Sequence, residues 1–133
     1  HALREGDTSK AREITDRLLA TAVKYEVHKY IGVAHNLMAQ IAIAEGDMTS
    51  AEAEFGAALA EFKQRPVPVV AWRIHADLGR LRSARGDSAG GRDAFEQAAA
   101  IINNIAANVS DATLKENFLL SSAVREVMKG AES

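Results

Sequence analysis

Apolar and small side chains recur along this chain at spacings of three and four residues. Ala51, Phe55, Ala58 and Leu59 form one run, and Gly91, Phe95, Ala98 and Ile102 form a matching run 40 residues downstream. Such spacing lays a single apolar face along an α-helix, because a turn of about 3.6 residues returns positions three, four and seven apart to one side. Each run has a companion upstream: His35, Met38, Ala39 and Ala42 in one case, His75, Leu78, Gly79 and Arg82 in the other. The small residues Ala39 and Gly79 mark places where two helices would cross closely. No stretch reads as a strand. The pattern predicts helices near 8–25, 28–45, 48–64, 69–85, 88–107 and 111–129, an all-α chain.

The breaks between these runs repeat as well. Gly6-Asp7, Gly46-Asp47 and Gly86-Asp87 are three identical dipeptides, each 40 residues from the next. A period of that length points to a repeat array. Glycine suits the left-handed position that ends a helix, and the Asp behind it can accept from the free N–H groups that begin another. Each Gly-Asp is therefore expected to be a helix-turn-helix hinge, and each repeat a helical hairpin. Pro66 and Pro68 interrupt the chain between hairpins, since proline lacks the donor that an interior helical position needs. Ser110-Asp111 starts the last helix, whose Leu114, Phe118, Leu119, Val124, Val127 and Met128 are placed to cap the open end of a stack. The segment Ala2 to Asp7 reads as the end of a helix that begins elsewhere, so a piece of a longer protein is expected. The organisation is one domain over 1–133: a partial repeat over 1–25, repeats over 26–65 and 66–105, and a C-terminal capping helix over 106–133.

Leu78-Gly79, Gly86-Asp87, Gly91, Phe95 and Ala98 resemble a tetratricopeptide repeat, in which a Leu-Gly pair, a hinge Gly, a small residue, an aromatic and an Ala fall at these offsets. Ala39, Gly46, Ala51, Phe55 and Ala58 match a second copy. A partial first copy fits at Gly6 and Ala11, with Thr15 and Leu18 in place of the aromatic and the Ala. That repeat is about 34 residues long, so the surplus in each copy falls between hairpins, over 26–31 and 66–71, in longer helices or a longer connector. Arrays of this 40-residue variety look like those of large bacterial regulators, where they follow a nucleotide-binding switch, a protein kinase or a nucleotide cyclase. The tail, Leu114 to Leu119 followed by Val124 to Val127, is similar to the closing segment of such proteins.

The resemblance implies a right-handed superhelix of antiparallel hairpins with a capping helix, acting as a protein-protein interaction module of a signalling or transcription-regulating protein. In that fold the first helix of each hairpin lines the concave side, here through Val33, Asn36, Leu37, Gln40 and Ile43, and through Arg73, Ala76, Asp77, Arg80 and Ser83. Asn36, Gln40, Arg73, Asp77 and Arg80 are the candidate partner-binding residues. Arg73 and Arg80 stand seven apart with Asp77 between them, either to salt-bridge Asp77 or to receive an acidic peptide. A clamp for a C-terminal carboxylate is not expected, because Asp77 has the wrong sign. The alternative function is a structural spacer or self-association element, a homodimer formed through the exposed edge of the partial repeat.

Composition narrows the remaining classes. Hydrophobic residues are 47% of the chain but aromatics only 5%, which leaves Ala, Leu, Ile and Val to favour helices. A net charge of -2 supplies no electrostatic case for nucleic acid or membrane as partner, so a protein, a peptide or another domain of the parent chain is expected. Without Cys there is no disulfide, thiol nucleophile or Cys-ligated metal, and a cytoplasmic setting is the default. No apolar run approaches a membrane span, and no signal peptide is evident.

His1, His28, His35 and His75 raise a metal reading, but His35 and His75 are repeat equivalents, and the resemblance implies a large side chain packed inside the hairpin at that position. Glu52, Glu54 and Glu61 are expected on the solvent side. Ser121-Ser122 lacks a nucleophile elbow, and Gly90-Gly91 lies within a helix without the Lys of a phosphate loop. Trp72 is expected to staple two hairpins. No catalytic residue, cofactor or metal is therefore assigned.

Overall fold

The regularity of the sequence reappears as a regularity of helix starts. A computed structural model describes residues 5–132, with side chains from Asp7 onward; His1 and the segment 2–4 lie outside the described residues. Among these are seven α-helices and no strand: α1 (Glu5–Lys24), α2 (His28–Ala44), α3 (Met48–Gln64), α4 (Pro68–Ala84), α5 (Ser88–Ala107), α6 (Ala112–Leu120) and α7 (Ser122–Glu132). From α2 to α5 a helix starts every 20 residues, after a connector of three. The surplus over a shorter repeat has thus gone into helices of 17 residues in α2, α3 and α4 rather than into connectors.

Three of the connectors close in the same way. Gly46 and Gly86 take φ of 80° and 88°, and the N–H groups of Asp47 and Asp87 reach back to the carbonyls of Ala42 at 2.8 Å and Arg82 at 2.9 Å. This is the bonding of a Schellman end, which satisfies carbonyls that the helix itself leaves open. The connector after α1 repeats it without glycine: Glu26 stands at φ 56° and Val27 donates to Ala22 at 2.8 Å. A side chain in that left-handed conformation costs about 1 kcal/mol. The connector between α3 and α4 lacks the motif; Arg65 donates to Glu61 at 3.1 Å and Pro68 opens α4, where its missing N–H costs nothing.

Asp caps follow the hinges as expected. Asp47 accepts from the N–H of Ser50 at 3.1 Å, Asp87 from that of Gly90 at 2.9 Å and Asp111 from that of Leu114 at 3.0 Å.

Two expected boundaries are corrected. Gly6 and Asp7 lie within α1 rather than in a hinge. Glycine permits the left-handed conformation but does not impose it; at Gly46 and Gly86 the bonds to a preceding helix hold it there. The last helix is two helices, divided at Ser121 with φ -59° and ψ 146°. The Ser121 hydroxyl donates to the Phe118 carbonyl at 2.8 Å while its own carbonyl accepts from Arg125 at 3.0 Å, so one residue ends α6 and begins α7.

The chain forms two compact units, His1–Pro66 and Val67–Ser133, dividing at the proline break. In the first, α1 packs on α2 and α2 on α3. Phe62 of α3 lies against Gly32 of α2 so tightly that a Cβ there would stand 2.7 Å from the ring. In the second unit α4 packs on α5 and α5 on α7, while α6 touches α5 and α7 lightly and buries no residue fully. Its core gathers Trp72, Ala76, Phe95, Ala98, Ile102, Val124 and Val127. Phe95 fills the space over Gly79 and Gly130, where Cβ atoms would come to 2.9 and 2.5 Å of its ring. Trp72, only 2% exposed, belongs to this core and meets Phe118 edge-on at 6.3 Å.

Candidate functional site

The five candidate residues divide between the units, Asn36 and Gln40 on α2, Arg73, Asp77 and Arg80 on α4. On α2, Asn36 and Gln40 are half-buried, and the Asn36 Oδ1 is buried without a hydrogen-bond partner. An unmet buried acceptor costs about 1–3 kcal/mol. Beside it the outward side of α2 is apolar: Tyr30 is 50% exposed and Leu37, seven residues on, is 40% exposed.

The corresponding side of α4 is charged and partly occupied. Arg80 bridges Asp77 on its own helix and Glu126 on α7. Burial opposes its charge, but the hydrogen bonds to Asp77 and then Glu126 outweigh that, and the guanidinium pKa is raised. Ala76, expected on the same face, is buried in the core. Arg73 remains exposed, its guanidinium 4.5 Å from the centre of the Trp72 ring, a cation–π placement. Asp77 and Arg80 are thus brought together as an ion pair, and α7 has joined them.

A feature the sequence reading missed runs along the α2–α3 hairpin. His28 Nδ1 lies 3.1 Å from Glu61 and His35 Nδ1 lies 2.9 Å from Glu54. A carboxylate only accepts, so each imidazole donates from Nδ1. Glu54 and Glu61 therefore face α2, correcting their expected place on the solvent side. The signal was present: two histidines seven apart and two glutamates seven apart fall into the same antiparallel register. His35 does sit between the helices, as expected. Its equivalent His75 is opposite Ala94 in place of Glu54; burial first, and then the charge of Arg82, lower its pKa, against the pull of Asp93.

The first unit also holds a cleft bounded by α1 and the ends of α2 and α3. One part, about 580 Å³, is lined by Thr8, Ser9, Arg12, Ala44 and Glu45; a second, about 380 Å³, by Arg12, Met38, Ala42, Glu45, Asp47, Ser50 and Glu54. Its carboxylates are engaged: Glu45 by Arg12, Glu54 by His35, and Asp47 by Ser50. The Ser50 hydroxyl and then its N–H hold the Asp47 carboxyl below its usual range. Among the described residues no three His, Cys, Asp or Glu side chains are placed to hold a metal, and no helix is long and apolar enough to cross a membrane.

Compared with known proteins, the chain matches no family model, no curated protein and no solved structure.

Proposed function

We propose that this chain is a protein-interaction module built from tetratricopeptide-like hairpins, which binds a protein, a peptide or another domain of a larger, regulatory parent chain through the outward faces of α2 and α4. The observation that carries this reading is the repetition of one hairpin plan in each unit, with different side chains, each exposed or half-buried, at matched positions of the first helix. Leu37 stands where Asp77 stands one period later, and Val33 where Arg73 stands. Repeat helices that present different side chains on one backbone plan are suited to recognising an extended partner. In this reading the hairpins continue as a right-handed superhelix and α7, which buries Val124 and Val127, closes it. The module works in the cytoplasm, without catalysis, cofactor or metal.

The test is capture of a partner from source-cell lysate on the immobilised chain, beside Leu37→Asp and Arg73→Glu variants whose helicity is confirmed by circular dichroism. A partner held by the wild type and lost by either variant supports the reading. Equal capture by all three removes α2 and α4 as the binding face. A second reading, a spacer or self-association element, is favoured by the exposure of Ile14 and Tyr25 on the first unit. Light scattering over a concentration series checks it: mass rising with concentration supports self-association, and constant monomer mass removes self-association and leaves the spacer.

A further inference from the structure

One helix of the second unit rests on the core without being fastened to it. From Ala107 to Ser122 every side chain is exposed except Val109, Phe118 and Leu119, which are half-buried. Among the described residues no hydrogen bond or ion pair joins α6 to another helix. Its seat consists of Phe118, which meets Trp72 edge-on at 6.3 Å, and Leu119, which packs against the same core. Side chains that stay half in water gain only part of the free energy of burial, so this hold is weak.

Both ends of α6 close within their own segment. Asp111 caps the start by accepting from the N–H of Leu114 at 3.0 Å. At the other end the Ser121 N–H and hydroxyl both donate to the Phe118 carbonyl, at 3.2 and 2.8 Å. Lifting α6 therefore breaks no bond to the rest of the unit. The joints that would turn are short and mostly exposed, residues 108–111 before the helix and Ser121 after it.

The helices on either side in the chain are anchored. α5 buries Ala98, Ile102 and Ala106. α7 buries Val124 and Val127, at 1% and 0% exposed, and its Glu126 bridges Arg80 on α4. The helix before α6 and the helix after it are thus both in place, and the looseness belongs to α6 itself.

We propose that α6 is a lid over the edge of Trp72, which lifts as one unit at residues 108–111 and at Ser121 and reseats through Phe118 and Leu119, while α4, α5 and α7 stay packed. A helix of nine residues is marginal in water by itself, so α6 gives up its backbone hydrogen bonds in the same step as its seat. The ring beneath it is the single tryptophan of the chain and carries the Arg73 guanidinium 4.5 Å from its centre. The lid needs no partner, so it does not depend on what α2 and α4 bind.

Hydrogen exchange of the whole chain, followed amide by amide by NMR, reads the lid directly. The amides from Lys115 to Leu120 are expected to share one level of protection, about hundredfold or more below that of Val127 and Met128, and to exchange at a rate that stays level in low urea while that of α5 and α7 climbs. Phe118→Ala should speed exchange in α6 by about tenfold or more and let acrylamide quench Trp72 more readily. Its urea midpoint, read by circular dichroism, should fall far less than that of Phe95→Ala, because losing a lid leaves the core standing. Leu119→Ala serves in its place should Phe118→Ala fail to fold. Exchange of α6 together with α7, protection that declines gradually toward the ends of α6 as in fraying, α6 exchange unmoved by Phe118→Ala, or a midpoint loss as large as that of Phe95→Ala overturns the proposal.

Discussion

The hairpins α2–α3 and α4–α5 share their turn and differ in what fastens their helices. Both turn through a left-handed glycine and restart on an Asp cap. The first hairpin is clasped by His28–Glu61 and His35–Glu54 along one side. In the second, Pro68 and Ile101 replace the outer pair and Ala94 replaces Glu54, so the helices rest on packing such as Phe95 over Gly79, a kind of contact that the first hairpin makes beside its clasp with Phe62 over Gly32. One backbone plan therefore tolerates two kinds of fastening. A hinge constrains a few adjacent residues to one geometry, whereas helix contacts need only pairs that fit each other.

The largest effect is expected where the second fastening is removed. Phe95→Ala empties the space over Gly79 and Gly130 and should cost about 3–5 kcal/mol, seen as a lower urea midpoint followed by Trp72 fluorescence. A loss under about 1 kcal/mol would mean that glycine contacts alone hold α4 to α5.

The shared hinge comes next. Gly86→Val forces a β-branched residue to φ 88° and should cost about 1–2 kcal/mol in the same assay. Glu26→Gly tests the same rule in reverse, and should stabilise by about 0.5–1 kcal/mol because Glu26 holds that conformation at φ 56°.

The clasp is smaller. His35→Ala should cost about 0.5–1.5 kcal/mol, the net worth of one hydrogen bond, because both side chains keep partial contact with water.

Acid sharpens the contrast. Burial favours neutral His75 in the folded chain, so its folded pKa lies below the usual histidine value of 6.5. Its stabilising contribution is complete above that value and is lost as pH falls from there through the lowered folded pKa. His75→Leu should flatten that part of the stability profile, read as melting temperature against pH; an unchanged slope would assign the acid sensitivity to other groups.

Least is expected at Asn36, where Asn36→Leu removes an unmet acceptor and should be neutral or slightly stabilising. If the same substitution abolishes partner capture, Asn36 is kept for binding at the expense of the fold.

Much of the architecture was legible in the order of residues. The helices α2 to α5 fall within a residue of the expected positions, and the caps Asp47, Asp87 and Asp111 and the proline break stand where the pattern placed them. Gly6-Asp7 misled because glycine permits a left-handed turn without imposing one, and α1 runs through both residues. The break at Ser121 was hidden because Ser, unlike Gly or Pro, allows a helix to continue. Of the candidate site, the ion pair of Asp77 with Arg80 was legible at a spacing of three. Glu126 was not, since nothing local says that α7 returns to α4.

By itself the sequence determined the helical period, the hinges and their caps, because each rests on bonds that reach no more than about one helical turn along the chain. Only the tertiary structure decided which side chains meet. His35 finds Glu54 across 19 residues and Arg80 finds Glu126 across 46, and such pairs exist only once helices have been laid side by side.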